Sequence, residues 1–205
     1  TLEYNTATTN RDFLTYHGGG RDWLGYDDGT RDKPGIIPDD KLVRRGRFTK
    51  DGYSPRELER FGEAMSNTWE PYAENADWNH DFGLVFGDRI GRFGYTFNAG
   101  YKNESQIREN EKNNIYSAQG GEGELKLDNY YTFDRATRKI RVNGMLNCGF
   151  ELTPDHKFYL SNFYIHTGED EVTHYEGYNS DIGGEIKDSR LRWVEDEIYS
   201  GQLRG

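Results

Sequence analysis

Arg92-Phe-Gly-Tyr-Thr-Phe-Asn-Ala-Gly-Tyr-Lys102 is the stretch that decides the fold class. Phe93, Tyr95, Phe97, Ala99 and Tyr101 alternate without a break with Arg92, Gly94, Thr96, Asn98, Gly100 and Lys102. A period of two sends successive side chains to opposite faces of a strand, whereas a helix needs apolar residues three and four apart. The stretch 140–152 repeats the pattern. Ile140, Val142, Leu146, Cys148, Phe150 and Leu152 share one face with Gly144, while Arg141, Asn143, Asn147 and Glu151 take the other. Phe82, Leu84 and Phe86 give a shorter third case against Gly83, Val85 and Gly87.

Less regular strands follow from 157–168 and 190–204. Phe158 and Leu160 fall on one face but Phe163 and Ile165 on the other, and Glu195 and Glu197 interrupt the row of Trp193 and Tyr199. A bulge would reset that parity. The Thr-rich start supplies a further strand, so the predicted set is 2–16, 82–90, 92–104, 139–152, 157–168 and 190–204. One helix of a turn or two is expected over 54–65, where Ser54-Pro55 reads as an N-cap followed by Pro at N1.

Tight links at 87–91 and 153–156 alternate with long polar connections at 17–81, 105–138 and 170–189. All the short links then lie at one end of the sheet and all the long ones at the other. A transmembrane β-barrel is organised this way, with short periplasmic turns, long extracellular loops and crossing strands of roughly 9–11 residues. A soluble antiparallel sandwich alternates equally well and stays open as a reading.

Composition fits the barrel. Of 205 residues, 33% are hydrophobic and 15% aromatic, so little aliphatic material is left to fill a thick core. Lipid outside and a wet lumen inside remove the need for one. No apolar run is long enough for a transmembrane helix. The net charge of −10 argues against a nucleic-acid binder, since phosphate binding needs a basic patch. Cys148 is the single cysteine, which excludes an intrachain disulfide and a Cys-based zinc cluster.

The chain also resembles a known family at several points. Thr6-Ala-Thr-Thr-Asn-Arg-Asp-Phe-Leu-Thr-Tyr16, followed by Gly18-Gly-Gly-Arg-Asp-Trp-Leu-Gly-Tyr-Asp-Asp-Gly-Thr-Arg31, looks like the start of the barrel in TonB-dependent outer-membrane receptors. Phe86-Gly-Asp-Arg-Ile-Gly-Arg-Phe-Gly-Tyr95, Glu176-Gly-Tyr-Asn-Ser-Asp-Ile-Gly183, Arg190-Leu-Arg-Trp-Val-Glu195 and Ser200-Gly-Gln-Leu203 are similar to the same family. The resemblance implies a transporter that imports a scarce nutrient (siderophore, cobalamin, glycan or peptide) with energy passed through TonB. It implies a 22-stranded barrel around an N-terminal plug, in the outer membrane of a Gram-negative bacterium. Residues 1–205 are then expected to be a partial barrel domain of about six strands, lacking the plug through which the TonB complex acts. A surface lipoprotein is a further partner of some members.

In a barrel wall, Phe93, Tyr95, Phe97, Ala99, Tyr101, Ile140, Val142, Leu146, Cys148 and Phe150 are expected to face lipid. Arg92, Thr96, Asn98, Lys102, Arg141, Asn143 and Asn147 are expected to face the lumen, because an Arg at mid-membrane costs about 2–4 kcal/mol.

Other sites are weaker. Asp27-Asp28-Gly29, with Asp22 and Asp32 nearby, reads as a turn or as a calcium site, and the spacing misses the EF-hand pattern. Gly18-Gly19-Gly20 lacks the Lys-Ser/Thr of a phosphate loop and reads as a tight turn. His17, His80, His156, His166 and His174 show no metal-ligand pairing. Glu169, Asp170 and Glu171 read as a solvated acidic face. Trp23, Tyr26, Trp69, Tyr72 and Trp78 in the first long connection are candidate ligand-stacking aromatics or loop packing. No catalytic constellation and no cofactor motif stand out, so the expected role is not enzymatic. The rivals are a soluble all-β carbohydrate-binding module and, behind it, a β-rich glycosidase, which needs a carboxylate pair at fixed separation.

Overall fold

The structure is a computed structural model that describes residues 1–66, 70–119 and 123–205. Among the described residues eight strands form: β1 (Leu2–Glu3), β2 (Asp12–Thr15), β3 (Tyr72–Asn75), β4 (Asn79–Ile90), β5 (Phe93–Gln119), β6 (Glu124–Thr153), β7 (His156–Asn179) and β8 (Gly184–Arg204). Six make one antiparallel sheet in the order β1-β4-β5-β6-β7-β8, and β2 pairs with β3 in a second, two-stranded sheet. The large sheet is open, with β8 at one edge and no pairing back to β1 or β4.

The period-2 rows meet as the alternation requires. Phe97 lies opposite Leu146, Tyr95 opposite Cys148, Phe93 opposite Phe150 and Tyr101 opposite Val142. On the other side of β5, Phe86 pairs with Phe97 and Leu84 with Ala99, and the Phe86 and Phe97 rings stand 5.0 Å apart. The row continues through Phe158, Leu160 and Leu203. On the opposite face Asn143 donates to Asn98 at 3.2 Å, and Lys102 pairs with Glu104 at 2.8 Å.

Three expectations change. The strand predicted over 2–16 is two short strands in different sheets, because Asn5 turns the chain. Its carbonyl accepts from the Thr8 and Thr9 amides, its side chain accepts from the Ala7 amide, and Asn10 adopts φ 60°. The parity of β7 and β8 is not reset. Their pairing runs without a shift from Tyr159–Arg204 to Asn179–Gly184, so Phe163 and Ile165 do lie opposite to Leu160, and Glu195 and Glu197 share a face with Trp193.

The largest change is in length. β5, β6, β7 and β8 contain 27, 30, 24 and 21 residues, so 105–119, 124–138 and most of 170–189 are strand rather than loop. Apart from the buried Ser105, Ala136, Val172 and Thr173, these distal halves are half-buried or exposed and carry no hydropathy period. Cross-strand charge holds them instead. Lys139 faces Glu169 (3.4 Å), Arg192 reaches the same carboxylate (3.1 Å), and Lys187 faces Glu176 (2.5 Å). Exposed pairs of this kind contribute about 0–1 kcal/mol each, so their number rather than any one sustains the hairpins.

Among the described residues, 17–66 remain a long excursion outside the large sheet. The helix in it, α1 (Pro55–Glu63), runs nine residues and carries a full capping box between Ser54 and Glu57, longer than the turn or two expected. The small core lies where β2 and β3 pack on the distal sheet: Phe13, Ala76 and Ala136, with Leu14 and Ile107 beside them.

Candidate functional site

Residues 16–31 form a strap laid across the distal half of the sheet, over His166, Gly168 and Ile140. Beneath it His166 is only 1% exposed and Ile140 2%. The strap is shaped locally. Asp22 accepts from the Gly19 amide (3.0 Å), a single 3-10 turn forms over Asp22–Leu24, and Gly25 reverses the chain at φ 80°. That φ favours glycine. Contact demands it too: a Cβ on Gly25 would stand 3.0 Å from the Gly168 amide nitrogen, and one on Gly168 would overlap the Gly25 backbone.

Past that crossing, Tyr26 stacks on His166 with ring centres 3.6 Å apart and planes 5° from parallel. Its hydroxyl shares a 2.6 Å hydrogen bond with that of Tyr164, and the Asp27 amide donates to Glu195 (2.5 Å). His166 Nε2 lies 2.6 Å from the Gly25 carbonyl. A carbonyl only accepts, so Nε2 carries the proton.

Arg31 is the hub at the strap's end. Its guanidinium donates to both Asp22 oxygens (2.9 and 2.5 Å), to Asp27 (2.8 Å) and, through Nε, to the Tyr16 hydroxyl (2.8 Å). It also stacks 4.0 Å from the Trp193 ring centre. Beside it, burial and the Asp170 charge push the Tyr16 hydroxyl up to about 12. Burial pushes the Asp170 carboxyl up to about 6, against the pull of Arg31. A cavity of about 350 Å³ opens between strap and sheet, lined by Tyr16, His17, Asp27, Thr30, Arg31, Asp32, Ser66, Leu191 and Trp193. Four of the five guanidinium N–H groups of Arg31 are taken up by Asp22, Asp27 and Tyr16.

Replacing Arg31 with Met should therefore cost about 3–5 kcal/mol, since it strands Asp22 and Asp27 in a half-buried setting. Denaturant unfolding at neutral pH checks this. A loss below about 1 kcal/mol would mean that the hub is a solvated surface pair.

The sequence-predicted sites fare unevenly. Asp27 and Asp28 do not converge: Asp27 goes to Arg31, and Asp28 accepts from the Gly20 amide (2.7 Å) and from Thr30. The arrangement is that of a turn. Among the described residues no three His, Cys, Asp or Glu come together to hold a metal. The loop aromatics are dispersed. Trp23 is 62% exposed, with its carbonyl accepting from the Tyr101 hydroxyl (2.7 Å). Tyr72 lies in β3 beside His17, Trp78 stands edge-on to Tyr4, and Trp69 lies outside the described residues. Of the four that are described, only Tyr26 enters the buried contacts.

The expected solvated acidic face at 169–171 is instead part of β7. Glu169 pairs with Lys139 and Arg192, Asp170 is buried beside the hub, and Glu171 faces Arg135. Ile140, at the far end of the row expected to face lipid, is covered by Gly25. Its row leaves the exposed half of the sheet one pair beyond Val142. Sequence reasoning missed Arg31, His166, Asp170 and Trp193 as partners. The signal was there in Glu195 and Glu197, two carboxylates where the apolar row required something else.

Comparison with protein-family models, curated proteins and solved structures returns no match.

Proposed function

We propose that this chain is part of the wall of an outer-membrane β-barrel of the TonB-dependent type, which imports a scarce nutrient with energy delivered by the TonB complex. One observation carries the reading. Next to the tight turns at 91–92 and 154–155, one sheet face presents Leu84, Phe86, Phe93, Leu146, Phe150, Phe158 and Leu160 to the outside. A soluble monomer seldom leaves so continuous an apolar face uncovered. Hydrocarbon covers such a face at no cost, and an open sheet with free edges is what a section of barrel wall is.

On this reading Phe93, Tyr95, Phe97, Ala99 and Tyr101, with Val142, Leu146, Cys148 and Phe150, meet lipid. Arg92, Thr96, Asn98, Lys102, Arg141, Asn143 and Asn147 meet the lumen. The crossing needs roughly 9–11 residues of each strand. The remainder of β5–β8, with the strap upon it, then stands outside the bilayer. The resemblance quoted above supplies the transport role and the TonB partner.

Fractionating cells that express the gene tests the proposal. The protein is expected in the detergent-resistant outer-membrane fraction, and a deletion strain is expected to lose uptake of one nutrient class. Recovery in the soluble fraction overturns the barrel and leaves a soluble all-β binding module.

A further inference from the structure

We propose that the tight-turn end of the sheet carries a site for a phosphate group, formed by Arg89, Arg92 and Lys157 around a hollow floored by Gly94 and Gly149. These side chains are brought together by strand register alone, so the site does not depend on the transport reading.

Residues directly opposite on neighbouring strands share a face. Gly94 lies opposite Arg89 on β4 and Gly149 on β6, Gly149 lies opposite Tyr159 on β7, and Glu151 lies opposite Lys157. A cavity of about 230 Å³ opens over the two glycines, with Arg89, Arg92, Lys157 and Tyr159 among its walls. Nothing in the chain itself calls for glycine at 94. Its φ is not left-handed, and the pairing of β4, β5 and β6 runs past it without a bulge. A Cβ there would meet nothing nearer than the Asp88 carbonyl, at 3.9 Å. A Cβ on Gly149 would only touch the Tyr159 ring, at 3.4 Å. Glycine inside a strand weakens it, and marks a bulge, a close backbone or a ligand that needs the room. The first two are absent at Gly94, which leaves the ligand.

The walls set the ligand's charge. Arg89 and Lys157 both pair with Glu151, at 2.8 and 3.0 Å. Arg89 also donates to the Gly91 carbonyl (3.0 Å), and Arg92 donates to the Leu152 carbonyl (3.0 Å). Among the described residues Arg92 forms no ion pair. Of the acids nearby, Asp88 shares the other face with Tyr95, and Asp155 in the turn at 154–155 does not line the cavity. Three cations therefore surround one carboxylate, in a chain whose net charge is −10. A phosphate monoester carries nearly two negative charges at neutral pH and matches that excess, whereas a carboxylate carries one. Most N–H groups of Arg89, Arg92 and Lys157 are unspent, and guanidinium forks fit phosphate oxygens. The Tyr159 ring beside them offers a flat apolar surface to the ester's organic part.

Calorimetric titration of the intact purified protein with inorganic phosphate and with glycerol 3-phosphate tests this. Saturable binding of both is expected, about tenfold tighter than that of acetate. Arg92→Gln, which can still donate to the Leu152 carbonyl, should weaken phosphate binding about tenfold. Gly94→Leu fills the hollow without changing the charge and should abolish binding while circular dichroism reports an intact sheet. Lys157→Gln gives a second reading should Gly94→Leu fail to fold, and should also weaken binding about tenfold. Phosphatidylcholine vesicles with and without phosphatidic acid separate the sources. Binding of the free esters assigns the site to a soluble phosphate. Binding only to vesicles that contain phosphatidic acid, lost in Arg92→Gln, assigns it to a lipid headgroup. Binding of neither overturns the proposal, as does acetate binding as tightly as phosphate. Phosphate binding that is unchanged in a folded Gly94→Leu protein, or in both Arg92→Gln and Lys157→Gln, overturns it too.

Discussion

If the sheet is barrel wall as proposed, Phe97→Arg should prevent its assembly, while Asn98→Arg, one residue on, should leave it intact. Phe97 lies in the middle of the apolar row, between Phe86 on β4 and Leu146 on β6. In the proposed wall its substitution would place a guanidinium against hydrocarbon at a cost of about 2–4 kcal/mol for the charge, besides the loss of aromatic contact with Phe86. Asn98 points the other way, into a polar neighbourhood that already holds Asn143. The measurement is the amount of folded protein in the outer membrane, read by its resistance to detergent at room temperature. Solvent labelling of single-cysteine variants reads the same question directly, with 96, 98 and 143 reactive and 95, 97 and 142 protected. The reverse pattern would place the apolar row inside the lumen.

Gly168→Val should detach the strap. The Gly25 backbone occupies the space that any side chain at 168 would fill, and Gly25 cannot withdraw without breaking its contact with His166. The stack of Tyr26 on His166, the bond from Nε2 and the Asp27–Glu195 bond are lost together. Overpacking alone costs about 1–3 kcal/mol, and the shared contacts should carry the loss to the upper end of that range or beyond. Hydrogen exchange is the appropriate measurement. The amides of Asp22, Leu24, Gly25 and Asp27, bonded in the docked strap, should exchange at solvent rates, while those in the proximal half of β5 and β6 stay protected. Continued protection at residues 22–27 would show that the strap has another anchor.

What the sequence made legible depended on where burial is one-sided. β4, β5 and the proximal half of β6 each carry an apolar row against a polar one, and their facing and pairing could be read directly. The distal hairpins could not. Their stability comes from lateral partners such as Lys139–Glu169 and Lys187–Glu176, and charge pairing across strands leaves no period in hydropathy. The strap was equally hidden, because its contacts join residues that lie far apart in the chain. Glu195 and Glu197 were visible as interruptions, but their cause, a histidine on the neighbouring strand, required the register. Asn5 concealed itself differently: one side chain folding back on its own amides turns a tract whose composition favours extension.

The order of the strands also has a kinetic consequence. From β4 to β8 every strand pairs with the next in sequence, so the sheet can grow hairpin by hairpin, each closing a short loop before the next begins. Such local closure is fast. The strap follows another schedule, since Gly25 meets His166 across 141 residues and that contact has no surface to land on until β7 is laid down beside β6. Its docking is therefore a late step, and it reports on register. If β7 slips by one residue, His166 and Gly168 turn to the opposite face and the strap finds neither its ring nor its groove. An early-made segment thus waits as a test piece for a sheet completed long after it.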